Sequence, residues 1–292
     1  MLTRGTSGYI LWKASKVMPD PKQLQYLLEL LEDDSAEVRE TVVAELSAFG
    51  VSLESELARQ RLKPGPAQQQ VLDEILNAQR IAWLREHWHE WFGSANGKEK
   101  LETALTLLAE FQLGSNYPTR LPELLDGLSR DYVSAHRRQD ARSLAGFLFQ
   151  ELGLRGASDD YYNPSNSNLV RVIEEKRGIP ISLACVYILV GHRVGIPIEG
   201  CNFPGHFFAL ATVEQRKVLV DCYNGGTMIA DGDLERVKAT VTLSDLVKLE
   251  CDAHAIVSRV LRNLVQAYQK FGNDPHAALM AELLDTMEYG QV

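Results

Sequence analysis

The sequence predicts an α+β protein with an N-terminal helical region, a central core of one apolar helix followed by an antiparallel sheet, and a C-terminal helical hairpin. Three observations carry that prediction. Apolar residues recur at helical spacing through most of residues 20–152. The pattern then changes at 179–223 to one apolar helix and three short strand-like runs, and helical spacing returns after 244. The organisation expected is therefore 1–153, 154–243 and 244–292. Of 292 residues, 45% are hydrophobic and 24% charged, which suits a globular chain and excludes disorder over most of its length.

Composition also narrows the functional classes. No apolar run approaches the about 20 residues that a membrane helix requires, so no membrane partner is expected. The first 18 residues mix polar and basic side chains and lack the pattern of a secretory leader, which makes the cytoplasm the expected location. A net charge of −9 argues against a nucleic-acid partner. Cys185, Cys201, Cys222 and Cys251 form no CxxC pair, so they read as free thiols, with no metal or cofactor implied.

In the N-terminal region, Asp20 can cap a first helix with Pro21 at its first position and Leu24, Leu27, Leu28 and Leu31 on one face. Val38, Val42, Leu46 and Phe49 make a second stripe that Gly50 is placed to end, giving a HEAT-like hairpin over 20–50 with no second copy. After the break at 63–66, a third helix should run from about residue 67 into the cluster HWHEWF, with Trp83, Trp88 and Trp91 in the core. His87 and His89 are two apart and do not share a helix face, so they make a poor metal chelate. Further helices are expected from Lys100 and from Leu121. The cluster RRQDAR at 137–142 reads as a solvated helix face.

The central stretch carries the chemistry. Residues 179–194 form an apolar helix with Pro180 in its first turn, 198–203 a strand, and 206–213 and 218–223 two strands around the turn EQRK. If the hairpin loop holds two or four residues, His206 and Asp221 fall on the same sheet face, where the carboxylate can orient the imidazole. A thiol or hydroxyl raised at the start of the preceding helix would complete a nucleophile/His/Asp arrangement.

The motifs NPSNSNL, RGIPISL, a helix ending in GIP, EG-x-x-FPGHF and D-x-x-NGG resemble the bacterial SirB-one family, a branch of the transglutaminase-like superfamily. The resemblance covers about residues 163–226. It implies a papain-like, transglutaminase-like core behind a helical region, with a tetratricopeptide-like helical pair near the C-terminus. Enzymes of the superfamily carry a catalytic Cys near the start of the helix, and counting back from Gly195 to that place lands on Pro180. The nearest hydroxyl is Ser182, and Cys185 lies a turn farther along. In DCYNGG, Cys222 and Tyr223 also depart from the Pro and Phe expected after the Asp.

Candidate catalytic residues are therefore His206, Asp221, Ser182 and Cys185, with Cys201 and Cys222 weaker. Asn166, Pro180, Gly195, Pro204, Gly205, Asn224, Gly225 and Gly226 are the structural positions of the motif, capping helices and shaping turns. Asn166, Ser167 and Asn168 are each able to cap the helix carrying Val170 and Ile173. No phosphate-binding glycine loop occurs. Beyond the core, Ser244 can cap a helix carrying Leu246 and Leu249. A stripe at Val257, Val260, Leu261, Leu264, Tyr268 and Phe271 then ends at Gly272, and Asp274 with Pro275 should open the last helix. The function expected is a transglutaminase-like protein without a competent thiol, serving as an interaction or regulatory module for a protein partner. The alternative is a Cys- or Ser-dependent amidase, peptidase or acyltransferase with His206 as base and Asp221 as its orienter.

Overall fold

The computed structural model describes residues 19–114, 116–203, 205–229 and 250–289. Pro204, the first 18 residues and the expected cap at Ser244 lie outside them. Contacts divide the chain into two compact units, Met1–Gln79 and Arg80–Val292. The boundaries anticipated at 153/154 and 243/244 both fall inside the second unit. Its helices, sheet and final hairpin share one apolar core from Leu84 to Met287.

In the first unit the side chain of Asp20 accepts from the backbone of Lys22, and a 3-10 turn at Pro21–Gln23 leads into α1 (Leu24–Leu30). Helix α2 (Ala36–Ala48) is capped by Ser35, and the chain reverses at Gly50 in a left-handed conformation, φ +55°. Helix α3 (Leu53–Arg59) and the beginning of α4 (Pro66–His87) follow. Leu24, Leu28, Val42, Leu46, Leu53 and Leu72 bury together, as the stripes of α1 and α2 require.

In the second unit Asn96 caps α5 (Gly97–Leu113), and α6 (Leu121–Ala135) follows. The charged stretch RRQDAR is not a helix face. The chain turns there, and Asp140 accepts from the amide of Ser143 to cap α7 (Ala141–Ala145), because an Asp preceding a helix satisfies otherwise orphaned donors. A wider π-helical turn, Gly146–Glu151, carries Phe149 into the core. Two short strands, β1 (Arg155–Gly156) and β2 (Arg177–Gly178), pair in parallel on either side of α8 (Leu169–Glu175).

Helix α9 (Pro180–Arg193) is buried along most of its length and stops where Gly195 takes φ +75°. Strands β3 (Ile198–Cys201), β4 (Phe208–Val213), β5 (Arg216–Asp221), β6 (Thr227–Ile229) and β7 (Glu250–Cys251) form one antiparallel sheet in the order β6-β5-β4-β3-β7. Ala209, Ala211, Val213, Val218 and Val220 join the core that holds α9. The alternate residues Phe208, Leu210 and Leu219 make a separate cluster with Cys201 and Ile229, as strand periodicity dictates. The hairpin loop is Glu214-Gln215, both at positive φ (49° and 65°), which is what a two-residue type I′ turn needs.

Helix α10 (Ala253–Lys270) packs against α11 (Asp274–Tyr289). Asp252 caps α10. At the last helix the cap is Asn273 and not Asp274: the Asn273 side chain accepts from the amide of His276 at 3.2 Å. Two adjacent residues can both cap, and the one preceding the first helical amides does so. Among the described residues no helix is long and apolar enough to cross a membrane.

Candidate functional site

The hairpin register joins Ala209 to Val220 and Val213 to Arg216, and one further step sets Phe208 opposite Asp221. Asp221 ends β5, and His206 stands two residues before β4 on the chain leading into it. His206 Nε2 lies 3.0 Å from Asp221 Oδ1, and the ring packs edge-on against Phe208 with centroids 4.3 Å apart. Asn224 holds the carboxylate from the other side, its amide N–H at 3.2 Å from Oδ1 and its Nδ2 at 2.8 Å from Oδ2. Positive φ at Gly225 and Gly226 folds the turn that brings Asn224 back over Asp221.

Burial pushes the Asp221 carboxyl up, and the bonds from His206 and Asn224 more than offset it, leaving the group below the usual carboxylate range. An ionised Asp221 can only accept, so His206 Nε2 carries the proton of that bond. In the neutral ring Nδ1 is then a lone pair, which is the requirement for a general base. Among the described residues Nδ1 makes no hydrogen bond.

The two candidate nucleophiles are placed differently, and neither hydrogen-bonds to His206. Ser182 is buried, and its Oγ accepts from the amide of Ile179 at 3.0 Å while standing 2.7 Å from the carbonyl of Asn166 and 3.0 Å from that of Ile179. Its one proton and its acceptor capacity are thus engaged in closing the first turn of α9 onto residues 163–167. Gly178 leaves room for this hydroxyl, since a Cβ there would come within 2.7 Å of it. Ser182→Ala should lower stability by about 1–2 kcal/mol in urea titrations, because a buried N–H and C=O lose a shared partner.

Cys185 is fully buried one turn deeper in α9, and desolvation drives its thiol strongly upward. Cys222 is buried in the turn after β5 and likewise shifted far up by burial. Burial raises Cys201 to about 11 and Cys251 to about 12. A nucleophilic thiol needs the opposite setting, exposed and electropositive.

The remaining motif positions have clear structural partners. Asn168 caps α8, its Oδ1 accepting from Val170 at 3.0 Å. Asn166 donates from Nδ2 to the carbonyls of Asp160 and Tyr161, so it organises the preceding loop and caps nothing. Pro180 fills the first position of α9, and Gly205 turns the chain at φ +78° before His206. His87 and His89 bond separately through Nδ1 to the carbonyls of Trp83 and Glu86, each at 2.8 Å. An open pocket of about 770 Å³, lined in part by Lys98, His192, Glu199 and Asp252, includes neither His206 nor Asp221.

Sequence reasoning missed the surroundings of the pair. Tyr223 stands 6.5 Å from His206 and Tyr161 stands 6.4 Å from Tyr223, ring to ring. Arg259 of α10 donates from Nη1 to Asn202 Oδ1 and, at 3.4 Å, to the carbonyl of Phe203, which also accepts the His206 amide at 3.1 Å. No sequence signal singles Arg259 out, since Arg262 and Asn263 follow it at i+3 and i+4 on the same polar helix face.

An apolar helix followed by an antiparallel sheet with a His/Asp pair across its hairpin is the core of a transglutaminase-like protein. The chain belongs to the transglutaminase-like superfamily, whose family model matches residues 115–262. It is 33% identical over 184 residues to a UPF0162 protein of Xylella fastidiosa, a match covering 57% of this chain and 65% of that one. A UPF0162 protein of Pseudomonas aeruginosa is 31% identical over 186 residues, covering 61% of this chain and 67% of the relative. Mouse F-box only protein 21 is 27% identical over 149 residues, 47% of this chain and 23% of that protein. The matches thus span about two-thirds of the length of these two bacterial relatives and about a quarter of the mammalian one. No solved structure matches the chain.

Proposed function

We propose that this transglutaminase-like chain is a non-catalytic interaction or regulatory module of the cytoplasm, binding a protein partner. The observation that carries the reading is a His/Asp pair that, among the described residues, has no available nucleophile hydrogen-bonded to it. The Ser182 hydroxyl is committed to the backbone of Ile179 and Asn166, and the thiols are buried. A base with nothing to deprotonate provides no covalent catalysis. The pair then serves as a brace, tying the chain before β4 to the end of β5. The likeness to about a quarter of a longer mammalian protein supports a module that works within larger assemblies, and four free cysteines suit a reducing compartment.

A second reading, a Ser- or Cys-dependent hydrolase or acyltransferase, draws on the open Nδ1 of His206. An activated acyl ester separates the two. The module shows no burst of leaving group and no acyl adduct by intact mass. A stoichiometric burst that disappears in His206→Ala and in either Ser182→Ala or Cys185→Ser overturns the proposal.

A further inference from the structure

The loop that carries His206, residues 202–207, is held from outside the sheet. Half-buried Arg259 of α10 meets it at three residues, on both sides of His206 in the chain. Its Nη1 donates to the side-chain oxygen of Asn202 and, at 3.4 Å, to the carbonyl of Phe203. That same carbonyl accepts the His206 amide at 3.1 Å, so Arg259 grips the 203–206 turn at its first residue. Past His206, the Phe207 ring lies 5.8 Å from the guanidinium carbon.

Phe207 is in turn wedged between the sheet and α10. It is buried, and a Cβ on Gly200 of β3 would come within 2.8 Å of its Cζ and 3.0 Å of Cδ1 of Ile256, one turn before Arg259. Close packing of this kind transmits a displacement of the helix to the loop. His206 therefore has two anchors. Its backbone is set from α10, and its ring is held by Asp221 at 3.0 Å.

Both anchors depend on geometry. A hydrogen bond weakens steeply with misalignment, so the Nε2–H of His206 reaches Asp221 only while the loop keeps its place. A charged donor binds neutral oxygens more strongly than an uncharged one, and the planar guanidinium fixes its acceptors in a way that a flexible ammonium does not.

We infer that Arg259 is the positioning residue of the His206–Asp221 pair, fixing the backbone of the 202–207 loop from α10 so that the imidazole meets the carboxylate. The C-terminal hairpin is then part of the candidate site, and a shift of α10 alters the pair. This inference goes beyond the module reading and holds whether the pair acts as a brace or as a base.

The test observes the His206 Nε2–H proton by NMR in the full chain near neutral pH, identified by its loss in His206→Gln. Arg259→Gln should speed its exchange with water about tenfold or more, because the bonds that place the loop are gone. Arg259→Lys, which keeps the charge but not the planar fork, should fall between that variant and wild type. Arg193→Gln is the control. It removes another half-buried guanidinium, one bonded to Glu102 of α5 and Asp126 of α6, and should lower the unfolding midpoint while leaving the His206 proton as in wild type. Thermal melts verify that each variant is folded. Should Arg259→Gln fail to fold, Asn202→Ala removes one acceptor of Arg259 and should still accelerate exchange severalfold.

An unchanged His206 proton in folded Arg259→Gln, or in Asn202→Ala where the former unfolds, overturns the inference. Equal acceleration in Arg193→Gln at a matched loss of stability overturns it too, by assigning the effect to global opening. Neither failure touches the acyl-ester assay. A burst in that assay would remove the module reading and leave Arg259 in its positioning role.

Discussion

Gly226→Ala is expected to destabilise the second unit by about 2–5 kcal/mol, from a left-handed backbone that a Cβ disfavours and an overpacked contact behind it. Gly226 sits at φ +72°, and a Cβ there would lie 2.5 Å from Cδ2 of Phe149. Phe149 cannot easily retreat: it is buried and packs edge-on against Tyr187 with ring centroids 5.8 Å apart. Gly225 supplies the internal control. It has nearly the same φ, +71°, but open space where a Cβ would go. Gly225→Ala should therefore lose only the backbone part, about 1–2 kcal/mol. Urea unfolding of both variants measures the difference, and equal losses would show that Phe149 yields to the added methyl.

Asp221→Asn is expected to remove about 2–4 kcal/mol, because a buried carboxylate that receives three hydrogen bonds becomes a neutral amide with one acceptor atom. The pH dependence fixes the cause. The folded-state pKa of Asp221 is lowered, so its contribution is fully present above the unfolded value of about 3.9. It is lost as pH falls through the folded value. The stability gap between wild type and Asp221→Asn should stay constant near neutrality and shrink below about pH 4. A gap that persists unchanged in acid would assign the loss to packing.

Much of this architecture is legible in the sequence because it is local. Pro180 and the GIP stop bound α9, and the parity of a two-residue hairpin loop brings His206 and Asp221 to one face before any coordinate is known. Asn224, recognised as part of the turn motif, also clamps Asp221, through a contact three residues away. What escapes the sequence is long-range. The carbonyl that meets the Ser182 hydroxyl belongs to Asn166, 16 residues away, and depends on how the 163–167 turn docks against α9. The two-residue strands β1 and β2 are too short to carry any periodicity. Arg259 reaches Asn202 across 57 positions, so its place beside His206 follows from the docking of α10 and not from any motif. RRQDAR misleads because a charged run looks alike on a helix face and in a capped turn.

If the core holds its His/Asp pair without an activated thiol, the alkylation rate of each cysteine in the folded chain, resolved by peptide mass spectrometry from pH 5 to 9, will show it. Burial places Cys201 at about 11 and Cys251 at about 12, with Cys185 and Cys222 also displaced upward. All four should react slowly, far below their rate in the unfolded chain, and His206→Ala should change none of them. A single cysteine that alkylates rapidly near pH 6, well under the usual thiol value of about 8.5, and slows in His206→Ala would contradict the account and identify a working nucleophile.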